Sequence, residues 1–284
     1  MATKRAICVG LNYPGTCFPL SGCHNDAIAW TKLLNSKPFN YSQVVTMLDC
    51  YCRSHDNYPT KSTFISTLVD LLKVSKAGDT LTITFSGHGK QMVDQDNDED
   101  DGMDSALVFF NGTSVELLSD DQFQYIIMEH IKPGVKLRII LDCCYAGTGL
   151  DLPFNYVIPF PSNLSNRLKD STGHYTNWYQ SMNPRDFRYT AIQTTNIIML
   201  AGCQDRQKSL DAWYDGVPMG AMTQLLVQLL DNKKTITGVN LSWIELLETI
   251  TFQLDLANDV QQPQISCSHF GLLEDSLGLR RVDI

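Results

Sequence analysis

The chain has 284 residues, 43% of them apolar, with a net charge of −9 and a pI near 5.0. That is enough for one sizeable α/β core or two modest ones, and its acidity argues against nucleic acid as the main partner, because phosphate binding needs a basic surface. No apolar run reaches the length of a membrane span, and the short run Ala6 to Leu11 is followed by no small-residue cleavage site, so neither membrane partner nor signal peptide is expected.

Nine cysteines form an odd set without the spacing of a disulfide framework. They point to a reducing intracellular compartment, read as the cytoplasm. The triplets at Asn40, Asn111, Asn163 and Asn240 then carry no glycosylation meaning.

In chain order, Ala6 to Leu11 predicts a first buried strand, left by the turn Asn12-Tyr13-Pro14-Gly15. The run Leu20 to Ala27, LSGCHNDA, leads into IAWTKLL, whose apolar spacing suits an amphipathic helix. Cys23 and Asp26 therefore stand at a strand-to-helix edge, where Asp26 also suits the positive end of the helix dipole. Gln43 to Leu48 predicts a strand, and Lys61 to Val74 a helix with Phe64, Ile65, Leu68, Leu71 and Leu72 on one face. Between them Cys50, Cys52 and His55 lack a fourth ligand at zinc spacing.

Thr80 to Lys90, TLTITFSGHGK, runs from alternating Leu81, Ile83 and Phe85 into Ser86-Gly87-His88-Gly89, a histidine between glycines just past a strand end. An acidic block follows, with seven carboxylates among the eleven residues from Asp94 to Asp104. It does not fit an EF-hand, since Glu99 stands where glycine is needed and Ser105 where a bidentate glutamate is needed. Asp120 and Asp121 open the next predicted helix, DDQFQYIIMEH.

Leu137 to Leu141, after the turn Pro133-Gly134, predicts a buried central strand that ends in Asp142, Cys143 and Cys144, with Asp151 beyond. A thiol at the carboxyl end of such a strand lies where open α/β sheets place their ligand crevices. If this strand and the one ending at Ser86 are parallel neighbours, His88 and Cys144 emerge at one sheet edge as a Cys-His pair. The 56 positions from one to the other leave room for a further strand and a crossover helix.

From Asn155 to about Thr195 periodicity is poor, and Arg167, Lys169, Arg185 and Arg188 are candidates for self-cleavage by an enzyme that prefers basic residues. Ile197 to Cys203 predicts a second buried strand, Met219 to Leu230 and Leu241 to Leu254 predict helices, and Gln264 to Ser266 a short last strand.

The order strand-SGHG, acidic loop, strand-DxC, with LSGCHNDA before it, resembles the metacaspases, cysteine peptidases of the caspase-like fold, over nearly the whole chain. The resemblance implies an α/β, caspase-like (caspase-hemoglobinase) fold: a central, mostly parallel sheet flanked by helices on both faces. It implies a large p20-like region at 1–155, an inter-subunit loop at 156–195 and a small p10-like region at 196–284, in a monomer. The large-then-small order with a short intervening segment resembles type I members, without their N-terminal proline-rich or zinc-finger region. It also implies a calcium cofactor held by Asp104, Asp120, Asp121 and Asp151, and an S1 pocket of Cys23, Asp26, Ser86 and Asp142 that takes protein substrates with Arg or Lys beside the scissile bond.

The chemistry agrees with the residues. A free thiol of pKa ~8.5 is only slightly ionised at neutral pH, and a nearby imidazole raises the reactive fraction. Cys144 is expected as nucleophile and His88 as general base, then acid; the resemblance adds the Gly89 N–H, with that of Cys144, as oxyanion donor. Adjacent thiols near a strand end point to opposite faces, so only one meets His88. The family pattern Asp-x-Cys selects Cys144 and leaves Cys143 to packing, while Tyr145-Ala146 departs from the usual His-Ser that follows the nucleophile. Asp142→Ala is expected to abolish cleavage after arginine in a folded protein. Animal caspases carry a different signature, QACxG, missing here. The rival readings are a catalytically silent scaffold and, more remotely, a redox or metal protein using Cys143 and Cys144.

Overall fold

The computed structural model describes residues 2–50, 55–93, 103–145, 149–150, 152–158, 195–203, 211–214, 216–231, 242–256 and 261–273. Strands β1 (Lys4–Gly10), β2 (Gln43–Leu48), β3 (Thr80–Ser86), β7 (Lys136–Asp142), β8 (Phe154–Val157), β9 (Asn196–Ala201) and β12 (Gln264–Cys267) form one sheet in the order β2-β1-β3-β7-β9-β12-β8. The first five run parallel, and β12 is antiparallel to both β9 and β8. Strands from both halves of the sequence therefore share one hydrogen-bonded layer.

Side-chain alternation along these strands builds two cores. Ile7 and Val9 of β1, Leu81, Ile83 and Phe85 of β3, and Leu137, Ile139 and Leu141 of β7 face one side with Phe64, Leu68 and Leu72 of helix α2 (Lys61–Val74) and Phe123 and Ile127 of helix α3 (Asp120–His130). Ala6 and Cys8, Ile140, and Ile198 and Leu200 face the other. There they meet Trp30, Leu33 and Leu34 of helix α1 (Cys23–Asn35), Met222 and Leu226 of helix α4 (Ala221–Leu230), and Leu246 and Ile250 of helix α5 (Trp243–Leu256). Helices cover both faces, as a parallel sheet requires.

Between β3 and β7 the chain forms more than one strand and a helix. Strands β4 (Gly89–Val93), β5 (Met103–Phe110) and β6 (Val115–Ser119) make a separate antiparallel sheet before α3. The acidic residues 94 to 102 lie outside the described residues, but the strands on either side pair directly, Val93 opposite Met103. Ser119 caps α3 by accepting the Gln122 N–H, which sets Asp120 and Asp121 in its first turn.

The second half corrects several boundaries. The helix expected from Met219 starts at Ala221, because Val217–Gly220 is a strand, β11, paired antiparallel with β10 (Asp211–Tyr214). Helix α5 runs Trp243–Leu256 rather than the expected Leu241 to Leu254, and it starts behind a capping box: Ser242 Oγ accepts the Glu245 N–H, and Glu245 Oε2 accepts the Ser242 N–H. Tyr156 and Val157, at the start of the expected loop, belong to β8. Arg167, Lys169, Arg185 and Arg188 lie outside the described residues.

Candidate active site

Parallel pairing of β3 with β7 sets Ser86 opposite Asp142. His88 and Cys144 each follow two residues beyond that rung, at the carboxyl edge of the sheet. The two loops touch: the main chain of Gly89 lies against the Cys144 carbonyl so closely that a Cβ there would overlap it, and would lie 3.5 Å from Cys143 Sγ. Cys144 is partly accessible. Tyr145, directly after it, has φ 53°, a left-handed turn that a bulky residue adopts only where surrounding structure enforces it.

The imidazole of His88 is held from the first loop of the chain, since its Nε2 lies 2.9 Å from the Phe18 carbonyl oxygen. A carbonyl only accepts, so Nε2 carries the proton and the neutral ring keeps its lone pair on Nδ1. Nothing in the sequence signals this partner, because a main-chain carbonyl has no residue type.

Cys143 points the other way. It is buried among Leu141, Leu150 and the aliphatic residues of the α2 and α3 face. Burial, with Cys203, Cys144 and Asp142 nearby, raises its thiol pKa well above the usual value. Its main-chain carbonyl accepts the Cys203 thiol at 3.2 Å. An inert, neutral Cys143 leaves Cys144 as the thiol available at this edge.

Asp26, Ser86, Asp142 and Cys23 are all buried. Cys23 opens α1, its N–H donated to Asn12 Oδ1 at 3.0 Å. Asp26 does more than complement the helix dipole: its carboxylate accepts the Gly220 N–H at 3.0 Å, and Asp142 Oδ2 accepts the Thr223 N–H at 2.9 Å. Gly220 has no side chain with which to cap α4, so these carboxylates, 194 and 81 residues away in sequence, satisfy main-chain donors at the helix start. A Cβ on Gly220 would overlap Asp142 Oδ2 and lie 3.0 Å from Asp26 Oδ2. Two carboxylates thus converge on one bare stretch of main chain, and Asp142 has a structural duty that an alanine cannot perform. Sequence reasoning missed Gly220, and the signal that could have found it was a glycine preceding an apolar helix in the small half.

A third acidic group lies on the α3 side. Ligand oxygens of Asp104, Asp120 and Asp121 come within 4.8 Å of one another, with Asp104 and Asp120 buried. Asp120 also accepts the Ser105 and Asp121 N–H groups. An all-oxygen donor set of this kind suits a hard cation such as calcium. Asp120 and Tyr145 line one small cavity with Ser105, Leu141 and Gly149. Asp151 lies outside the described residues, as do Cys52, Ala146 and Gly147.

A sequence profile described as the metacaspase, peptidase C14 domain matches residues 4–153, more than half of the chain. The chain belongs to the metacaspase family. It is 28% identical over 309 residues to metacaspase-1B of Aspergillus niger, covering 99% of this chain and 68% of that protein. It is 30% identical over 291 residues to metacaspase-1 of Cryptococcus neoformans, covering 94% of this chain and 62% of that one. Among solved structures, caspase-1 from Spodoptera frugiperda aligns with a TM-score of 0.52 at 11% identity over 94% of this chain and 86% of its own. Protein GSU0716 from Geobacter sulfurreducens aligns at 0.62 and 21% identity, covering 98% and 99%. The metacaspase chain thus has the caspase-like fold, and membership of peptidase family C14 makes it a cysteine peptidase whose substrates are proteins. Among its described residues no helix is long and apolar enough to cross a membrane.

Proposed function

We propose that the chain is an endopeptidase that cleaves after Arg or Lys, with Cys144 as nucleophile and His88 as its base. The observation that carries this reading is the rung Ser86 to Asp142, which brings the histidine and thiol loops into contact beside two converging carboxylates. His88 Nδ1 takes the thiol proton, and the Cys144 sulfur bonds to the carbonyl carbon of the scissile peptide. The oxyanion accepts from the Gly89 and Cys144 N–H groups. His88 then gives its proton to the departing amine as the C–N bond breaks, and water, deprotonated by the same imidazole, releases the acid and the free thiol. The missing side chain at Gly89 supports a shared site, because it lets the Cys144 loop lie directly against the loop that carries His88.

Asp26 and Asp142 give the preference for a cationic side chain. Carboxylates excluded from water attract a guanidinium or ammonium strongly, and these two lie side by side at the start of α4. Cys23 and Ser86 complete the walls. The donor set of Asp104, Asp120 and Asp121 fits calcium, with Asp151 as the fourth carboxylate expected to join it. Bound there, the ion would neutralise their repulsion and tie α3 to the segment that follows Cys144.

Fluorogenic peptides ending in Arg, Lys or Asp, assayed with calcium and with chelator, test the whole reading. Hydrolysis of the Arg and Lys peptides only, lost with chelator and lost in Cys144→Ala, is expected. Equal cleavage of the Asp peptide, or activity in Cys144→Ala, would overturn it. A rise in melting temperature on adding calcium, absent in Asp120→Asn, checks the ion site independently of activity.

A further inference from the structure

Tyr13 lies in the turn Asn12-Tyr13-Pro14-Gly15, where a side chain would ordinarily face solvent, yet it is fully buried. Its backbone has φ 51°, a conformation uncommon for a bulky residue and maintained only where other groups enforce it. The enforcing group is Asp49. One carboxylate oxygen accepts the Asn12 N–H at 3.0 Å and the other the Tyr13 N–H at 2.7 Å. Asp49 is itself buried, and His24 Nε2 meets its carboxylate at 2.5 Å from a side chain that still reaches solvent.

What this arrangement presents is a clamp on His88. The Tyr13 hydroxyl accepts the His88 N–H at 2.7 Å and donates to the Val108 carbonyl at 2.8 Å. The Tyr13 ring lies against the imidazole with centroids 4.8 Å apart and planes inclined by 33°. Phe18 packs against both rings at 5.6 Å, while its carbonyl takes the imidazole Nε2. Gly87 leaves room for the hydroxyl: a Cβ there would lie 2.7 Å from Tyr13 Oη. Burial raises the phenol pKa well above its usual value, so the hydroxyl keeps its proton, and with it the bond to Val108, throughout any practical assay range.

We propose that Tyr13 is a positioning residue for His88, set in place by Asp49 and its partner His24. The proposal rests on the reading of His88 as the base of Cys144. A tyrosine serving the core alone needs its ring and burial. It does not need its one polar atom spent on the backbone of the histidine, nor a buried carboxylate holding its own backbone in a left-handed turn.

Tyr13→Phe keeps the ring and removes one oxygen. In that variant kcat is expected to fall about tenfold or more with KM little changed, as for a misplaced catalytic group. The pH profile of Cys144 alkylation by iodoacetamide should move towards that of His88→Ala, measured alongside. His24→Ala should reproduce part of the effect. His24→Gln, which restores a donor to Asp49, should recover it, so the His24 pair reads the same network if Tyr13→Phe fails to fold. A Tyr13→Phe enzyme with lower thermal stability but an unchanged kcat and alkylation profile would overturn the positioning role while leaving the dyad intact. An alkylation profile unmoved by His88→Ala would instead overturn the dyad, and this proposal with it.

Discussion

Gly89 and Cys144 meet main chain to main chain, so that the glycine closes over the carbonyl of the residue expected to attack. The contact joins two loops that follow neighbouring strands, and a methyl group at position 89 cannot enter it without driving the loops apart. Gly89→Ala should therefore lower kcat by about a hundredfold, the scale of losing an oxyanion donor. The overpacking should also cost about 1–3 kcal/mol in stability. Steady-state kinetics and a denaturant titration check both, and wild-type kcat in a folded variant would remove Gly89 from the site.

Burial separates the two adjacent cysteines in reactivity. With its thiol pKa raised far above the usual value by desolvation first and by neighbouring negative groups second, Cys143 stays protonated near neutral pH and inaccessible. Peptide mapping after brief iodoacetamide treatment at pH 7.5 should find Cys144 modified, together with the exposed Cys17 and Cys50, and Cys143 untouched. Cys143→Ala should keep its activity within a few-fold and lose about 1 kcal/mol of stability from lost packing.

Different substitutions separate the proposed pocket role of Asp142 from its hydrogen bond to the start of α4. Asn keeps an oxygen that can accept the Thr223 N–H but carries no charge, so Asp142→Asn should stay folded and lose ~100-fold in kcat/KM for arginine peptides. Asp142→Ala also orphans a buried donor at the start of α4 and should cost a further 1–3 kcal/mol, roughly, in stability. Gly220→Ala, which pushes a methyl group between the carboxylates of Asp26 and Asp142, should weaken the same specificity. Cleavage of arginine peptides at full rate by Asp142→Asn would exclude a charge-based pocket.

Asp79 supplies a pH dependence away from the site. Its carboxylate accepts the Thr3 N–H at 2.7 Å, the Arg5 guanidinium at 3.1 Å and the Lys76 N–H at 3.2 Å. Hydrogen bonding, that of Thr3 foremost, holds its pKa below the ordinary carboxylate value against the opposing effect of burial. A folded pKa below the unfolded one stabilises the protein above the ordinary carboxylate range, and that contribution disappears as pH falls through the folded value. The melting temperature of Asp79→Asn should lie below that of the wild type at pH 7, and the gap should narrow progressively on acidification below about pH 4. A gap of constant size from pH 7 to pH 3 would contradict the assignment.

By itself the sequence determined six of the seven strands of the large sheet and where the chemistry lies along them. Apolar runs such as Leu137 to Leu141 can be satisfied only inside a covered sheet, and the glycine-flanked His88 and the pair Cys143-Cys144 stand at the ends of such runs. Alternation also required that one of two adjacent thiols turn inward. The strands β4, β5 and β6 were less legible, because β4 and β6 are only five residues long and β4 and β5 flank an acidic stretch with no periodicity of its own. Tertiary structure alone decided the register that sets Ser86 opposite Asp142, the convergence of Asp26 and Asp142 on Gly220, and the hold of Phe18 and Tyr13 on His88. Each of these joins main-chain atoms to groups far along the chain. A main-chain N–H or C=O is the same in almost every residue, so its partner is fixed by where the folded layers bring it and leaves no mark in local sequence.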